Sequence, residues 1–127
     1  MLVYEFGGKS QCDSINKLQE VLKHRSKNDS NEFELRTDSQ YPFLTVLVKK
    51  EFACVHFFED ESDCGHYAYL DNHENIREEY IVFNMGSEDS ETEISRDLII
   101  PLKQAYIVAE DFFLTNKMSP QVKWFEL

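Results

Sequence analysis

Long apolar runs, paired cysteines and stretches rich in glycine or proline are all missing from this chain of 127 residues. No apolar stretch approaches the roughly 18 residues that a membrane-spanning helix needs. Four glycines and three prolines are too few for a linker-rich or low-complexity protein. The three cysteines are an odd number and form no Cys-x-x-Cys pair. We therefore expect reduced thiols rather than a disulfide framework or a zinc site.

The first residues also lack the basic region and the long apolar region of a secretory signal peptide. We therefore expect a cytoplasmic protein of a single domain, residues 1–127, that does not contact a membrane. Hydrophobic residues make up 42% of the chain and aromatic residues 13%, which is the composition of a folded protein. A chain of this length can bury roughly two thirds of its unfolded surface, enough for an apolar core.

Basic residues are almost absent from residues 59–93. This segment holds twelve acids and one base, Arg77, whereas the rest of the chain holds 12 acids and 12 bases. The entire net charge of −11 therefore lies within 35 residues. A solvated face that aids solubility is one interpretation, but concentrated like charge lowers stability through self-repulsion. A binding role is favoured, because such a field repels nucleic acid and attracts basic proteins.

The spacing of apolar residues predicts two helices and a set of strands. A first helix is expected from about Asp13 to about Lys27, and a second begins near Pro101. Runs rich in β-branched and aromatic residues predict strands at 2–6, 32–36, 43–48, 53–58, 66–70, 80–84, 122–125 and, more weakly, 91–95. Short connections would pair them antiparallel. The expected fold class is α+β, a mostly antiparallel sheet of about six to seven strands with two helices packed on it.

Sequence patterns for catalysis and metal binding are missing as well. No glycine-rich phosphate loop, GxSxG, HExxH or calcium-loop motif occurs. The densest cluster of metal-capable residues is Asp60–His66, in which Cys64 and His66 could share one face of a strand. Its spacing fits no common metal loop, so we favour a solvated acidic loop. We expect no enzyme, catalytic residue, metal or cofactor, and a small metal-binding enzyme is the alternative.

The last third of the chain has a distinctive order of features. A strand ends at a proline, a helix ends in paired aromatic residues, and a proline turn leads to a tryptophan strand: Ile99-Ile100-Pro101-Leu102, Glu110-Asp111-Phe112-Phe113 and Ser119-Pro120-Gln121-Val122-Lys123-Trp124. Over residues 98–125 this order resembles the Imm-one family of immunity proteins from bacterial polymorphic toxin systems. Residues 55–67 are compatible with that family's central hairpins. Asn116 stands where members often have glycine, and asparagine tolerates left-handed backbone.

The resemblance implies a protein that neutralises a toxin used in competition between bacteria, as in contact-dependent growth inhibition. Such toxins are often nucleic-acid deaminases and sometimes nucleases, whose basic clefts an acidic face would complement. We expect the partner to be a toxin domain with a basic surface, and neither nucleic acid nor membrane. A generic acidic interaction module is the alternative. The expected contacts are Glu59, Asp60, Glu61, Asp63, Tyr67, Tyr69, Asp71, Glu74, Glu78, Glu79, Glu88 and Asp89.

Overall fold

The computed structural model describes residues 1–71 and 76–127. Its strands are β1 Leu2–Glu5, β2 Gly8–Gln11, β3 Ser30–Arg36, β4 Phe43–Lys49, β5 Phe52–Phe58, β6 His66–Tyr69, β7 Tyr80–Asn84, β8 Glu91–Ser95, β9 Ile100–Pro101 and β10 Lys123–Glu126. Its helices are α1 Ile15–Leu22 and α2 Leu102–Thr115. The predicted α+β class with a mostly antiparallel sheet is confirmed. Neither of these helices is long and apolar enough to cross a membrane.

The main sheet has eight strands. Seven lie in the order β10-β6-β5-β4-β3-β1-β2, and β9 pairs with β5 beyond the end of β6. All neighbours are antiparallel, because short turns connect most consecutive strands. The register places Phe43 of β4 opposite Phe58 of β5, and Lys49 opposite Phe52 at the other end. β7 and β8 form a separate hairpin.

Both helices lie on one face of the main sheet, which we call the helix face. Ser14 caps α1, since its hydroxyl accepts a hydrogen bond from the backbone N–H of Lys17 at 3.2 Å. α1 ends at Leu22 rather than near Lys27, because the polar residues that follow offer nothing to bury. α2 begins after Pro101 and ends at Thr115, and the cap residue Asn116 has a φ of 59°, the left-handed conformation that asparagine tolerates.

The opposite face of the sheet, the outer face, carries the hairpin of β7 and β8. Two apolar cores result, one on each face of the sheet. Leu44, Val46 and Val48 of β4 point into the core under the helices, while Leu47 points into the core under the hairpin. Burial on both faces explains why β4 and β5 are almost continuously apolar in sequence.

Two strands of the structure have no alternating pattern in the sequence: β2 was not expected, whereas β9 is the strand ending at Pro101 that the resemblance to immunity proteins implied. β2 has the sequence Gly-Lys-Ser-Gln and is mostly exposed, so no apolar alternation marks it. It forms because the turn after β1 folds the chain back onto that strand. β9 has only two residues, Ile100 and Pro101, which add to β5 opposite Phe52 and Ala53. Both strands arise from pairing with a neighbour rather than from a pattern of their own.

Candidate protein-binding surface

The hairpin covers only one half of the outer face. Its core residue Phe83 packs with Leu47 and Cys54, near the end of the sheet where β5 begins. Burial there raises the pKa of the Cys54 thiol to about 12, so this cysteine is an apolar core residue without reactive character. The other half of the face, around Phe43 and Phe58, lies outside both described cores.

Beside the hairpin, a row of five rings runs from the β4 side to β6, and its last ring, Tyr67, packs against the core under the hairpin. We call Tyr41, Phe43, Phe58, His56 and Tyr67 the aromatic ladder. Successive ring centroids are 5.3, 4.5, 4.0 and 4.1 Å apart, so each ring is in contact with the next. The strand register creates this row by placing Phe43 opposite Phe58 and His56 opposite Tyr67.

Most rings of the ladder are partly exposed, and only Phe43 is nearly buried at 9%. Burial raises the pKa of the Tyr67 hydroxyl above its usual value. Beyond Tyr67, the sheet continues to Phe125 of β10, which is 54% exposed and directly opposite Tyr67. The expected contacts included Tyr67 but none of the other rings. Strand alternation alone could have placed His56 and Phe58 on one face; their alignment with Phe43 required the register.

The loop that joins β5 to β6, residues 59–65, is the acidic loop. Two of its carboxylates form hydrogen bonds within the loop itself. Asp63 accepts hydrogen bonds from the backbone N–H groups of Glu59 and Gly65, each at 2.9 Å. These bonds hold the pKa of Asp63 below its usual value. Asp60 accepts from the N–H and hydroxyl of Ser62. The side chains of Glu59 and Glu61 are exposed, and no partner for them is found in the described part of the chain.

The acidic loop packs directly on the ladder through Gly65. This glycine has a φ of 105°, and a Cβ built on it would lie 2.0 Å from Nε2 of His56. Only glycine allows so close an approach. The Nε2 atom is buried and has no hydrogen-bond partner among the residues described. Burial lowers the pKa of His56 below 6.5, and the Cys64 backbone opposes the shift only in part.

Two other predicted contacts, Glu88 and Asp89, lie at the tip of the hairpin. Lys27 Nζ is 2.9 Å from Asp89 Oδ1 and 3.8 Å from Glu88 Oε1. Glu88 also accepts a hydrogen bond from Ser26. This tip lies beside the start of β3, where Ser30 pairs with Lys49. Glu88 and Asp89 are therefore at the end of the sheet opposite to the acidic loop, and a lysine partly neutralises them.

The remaining predicted contacts lie near the open end of the hairpin. Asp71 follows β6 and pairs with Lys123 of β10. Tyr69 borders an open cavity of about 510 Å³ that Phe125 also lines. Two further acids, Glu78 and Glu79, are exposed just before β7, and Glu74 lies outside the described residues. The structure thus brings together Glu59, Asp60, Glu61, Asp63 and Tyr67 and places the other described contacts elsewhere.

The cluster Asp60–His66 shows no arrangement typical of a metal site. Asp63 Oδ2 is 3.5 Å from Nδ1 of His66, and the His66 ring packs edge-on against Phe57. Cys64 is exposed. Within residues 1–71 and 76–127, no three His, Cys, Asp or Glu side chains are placed to hold a metal ion. The carboxylate of Asp63 instead closes the loop by hydrogen bonds to its own backbone, and Gly65 packs against His56 of the ladder.

The described residues therefore define an α+β protein with an open aromatic and acidic surface. Comparison with known proteins adds a relative: over the whole length of both proteins, the chain is 27% identical to a double-stranded DNA deaminase immunity protein of Burkholderia cenocepacia strain H111. No family model matches the chain. The resemblance to immunity proteins of toxin systems, recognised at residues 98–125, is confirmed by this relative along the full chain.

Proposed function

We propose that this protein is an immunity protein that binds and neutralises a DNA deaminase toxin. The observation that carries the proposal is the full-length similarity to a double-stranded DNA deaminase immunity protein. The charge distribution supports it, because an enzyme that acts on DNA needs a basic surface to hold phosphates. An acidic protein that covers this surface excludes the substrate by occupying its place. Such an inhibitor acts by binding alone and needs no catalytic group or cofactor.

The acidic loop is the part of the charged segment best suited to this contact. Glu59 and Glu61 are exposed, and in the described part of the chain no cation neutralises them. Asp71 and Asp89, in contrast, are already paired with lysines of this chain. A partner gains less from a carboxylate that must first release its own cation. We therefore assign the loop a larger share of the binding than the tip of the hairpin.

The first experiment tests protection. A candidate cognate DNA deaminase toxin domain is expressed in a bacterial host with or without the chain, and survival and base-substitution mutation of the host DNA are measured. A DNA deaminase immunity protein restores growth and suppresses the mutations. If the host dies equally in both cases, the proposed function is wrong. Binding of unrelated basic proteins with similar affinity would instead identify a generic acidic module.

The second experiment tests the loop. Glu59→Lys with Glu61→Lys should weaken toxin binding by about tenfold or more, because two carboxylates at the contact become cations. Glu51→Lys with Glu91→Lys changes the net charge by the same amount at exposed sites away from the loop. This control should change binding by less than about threefold at physiological ionic strength. Equal losses in both pairs, measured by calorimetry, would assign the attraction to overall charge and not to the loop.

A further inference from the structure

The aromatic ladder is only partly buried, and its ring of Phe58 packs in neither of the two apolar cores that the helices and the hairpin bury among the described residues. The partly exposed edges of these rings, together with the 54% exposed Phe125 opposite Tyr67, form an apolar strip at the surface, and contiguous apolar surface is typical of binding sites. Aromatic side chains are also the residues that most often dominate the binding energy of protein interfaces.

Carboxylates without a partner among residues 1–71 and 76–127 border this row. Glu59 follows Phe58 directly, and Gly65 fixes the acidic loop against the ring of His56. An apolar ring next to a carboxylate is a favourable binding site for an arginine side chain. The guanidinium group of arginine stacks on aromatic faces and donates paired hydrogen bonds to a carboxylate, whereas the strongly hydrated ammonium of lysine does so less well.

The chain already holds one of its own arginines in this way. The guanidinium carbon of Arg36 lies 3.9 Å from the centroid of the Phe43 ring, at one end of the ladder. The same guanidinium donates a hydrogen bond to Glu34 at 3.0 Å. Phe58 with Glu59 and Glu61 repeats these components, a ring and carboxylates, without a cation of the described chain between them.

We infer that the aromatic ladder and the acidic loop form one docking site for an arginine-bearing segment of the toxin. The inference rests on the proposed immunity function and gives it a location. Arginine side chains of the toxin pack against the partly exposed rings of Phe58 and Tyr67 and pair with Glu59 and Glu61. Because arginines on a DNA-binding surface also contact phosphates, their capture removes groups that the toxin needs for its substrate. The ladder supplies apolar contact area, and the carboxylates select a basic partner.

The test measures the affinity of the purified chain for the DNA deaminase toxin domain that it protects against, made harmless by replacement of its catalytic glutamate. Phe58→Lys places a cation in the ladder and should weaken binding by about thirtyfold or more, as expected for a central contact. Leu114→Lys is the matched control, since Leu114 is 68% exposed on α2 and lies away from the ladder. It should leave the affinity within about threefold of wild type. Circular dichroism establishes that both variants are folded.

Hydrogen exchange of the wild-type complex gives a second readout that needs no variant. Binding should protect residues 41–45 and 56–67 and leave 102–115 on α2 unchanged. A hexa-arginine peptide should also bind more tightly than hexa-lysine, and Phe58→Lys should remove the difference. If wild type binds the toxin but Phe58→Lys binds equally well, or protection falls elsewhere, the docking site is wrong and the immunity function stands. If wild type neither binds nor protects, the immunity function itself is wrong.

Discussion

Both faces of the main sheet carry aromatic residues, but the aromatic residues on the two faces have different roles. On the helix face, Phe57 is 1% exposed and packs edge-on against Phe112 of α2 and Trp124 of β10. On the outer face, its neighbour Phe58 is partly exposed and stacks in the ladder with Phe43 and His56. The two phenylalanines are adjacent in sequence and differ only in the side to which the strand directs them. Phe57 therefore contributes to the stability of the core, whereas part of the Phe58 ring remains accessible to a partner.

The outer face also differs along its own length. Where the hairpin lies on it, Leu47 and Cys54 are closed off in a second core. Beside the hairpin, the ring of Phe58 is partly exposed next to Glu59 and Glu61, which have no partner among the described residues. The difference shows that the position of the hairpin, rather than the composition of β4 and β5, decides which part of the sheet is available to a partner.

The largest effect is expected from Phe57→Ala. Removal of a fully buried aromatic ring should lower the free energy of unfolding by about 3 to 5 kcal/mol. The adjacent Phe58→Ala should lower it by about 1 kcal/mol, because part of that ring is already in water. Urea denaturation followed by circular dichroism measures both. Equal losses would mean that the ladder is a third core and would remove the contrast between the faces.

The next effect is expected from Gly65→Ala, which tests how the acidic loop is fixed to the ladder. The new Cβ would meet the His56 ring, and that ring cannot move freely because it stacks between Phe58 and Tyr67. Strain and displacement together should lower the unfolding free energy by about 3 kcal/mol.

Gly86→Ala is the control for backbone strain alone. Gly86 also has a positive φ, 87°, but nothing lies within 4 Å of its Cβ position. Its cost should be about 1 kcal/mol. A similar cost for both variants in thermal and urea unfolding would show that the contact between Gly65 and His56 contributes nothing.

The smallest effect is a pH dependence that originates at His56. Its pKa is lowered in the folded protein, so the unfolded chain binds more protons just below 6.5, the ordinary histidine value. Stability should therefore fall as the pH decreases through that value. Asp63 titrates separately at lower pH, because its pKa is below 3.8. Replacement of His56 by phenylalanine keeps a ring in the ladder and removes the proton site.

Urea titrations between about pH 7.5 and about pH 5.5 compare the two proteins. The unfolding free energy of wild type should decrease over this range, and that of His56→Phe should decrease less. An identical decrease in both proteins would show that His56 is not the origin of the pH dependence.

Local sequence patterns predicted much of the fold. The strands at Tyr80–Asn84 and Glu91–Ser95 were expected with the bounds that the structure has, and α2 begins after the proline that suits a first helical turn. These elements carry their own periodicity and caps. β2 and β9 do not, because they exist only through pairing with β1 and β5. The end of α1 was also missed, since a polar run after Leu22 contains no strong stop signal.

The sequence by itself determined the sign of the charge, its confinement to residues 59–93 and the class of fold, since each follows from composition or local spacing. Only the tertiary structure decided how that charge is distributed in space. Lys27 and Lys123 reach carboxylates far away in sequence, and the loop capped by Asp63 leaves Glu59 and Glu61 free. The alignment of the rings in the ladder likewise depends on the register between β4, β5 and β6. Pairing between distant segments depends on burial and hydrogen bonds that no local pattern records.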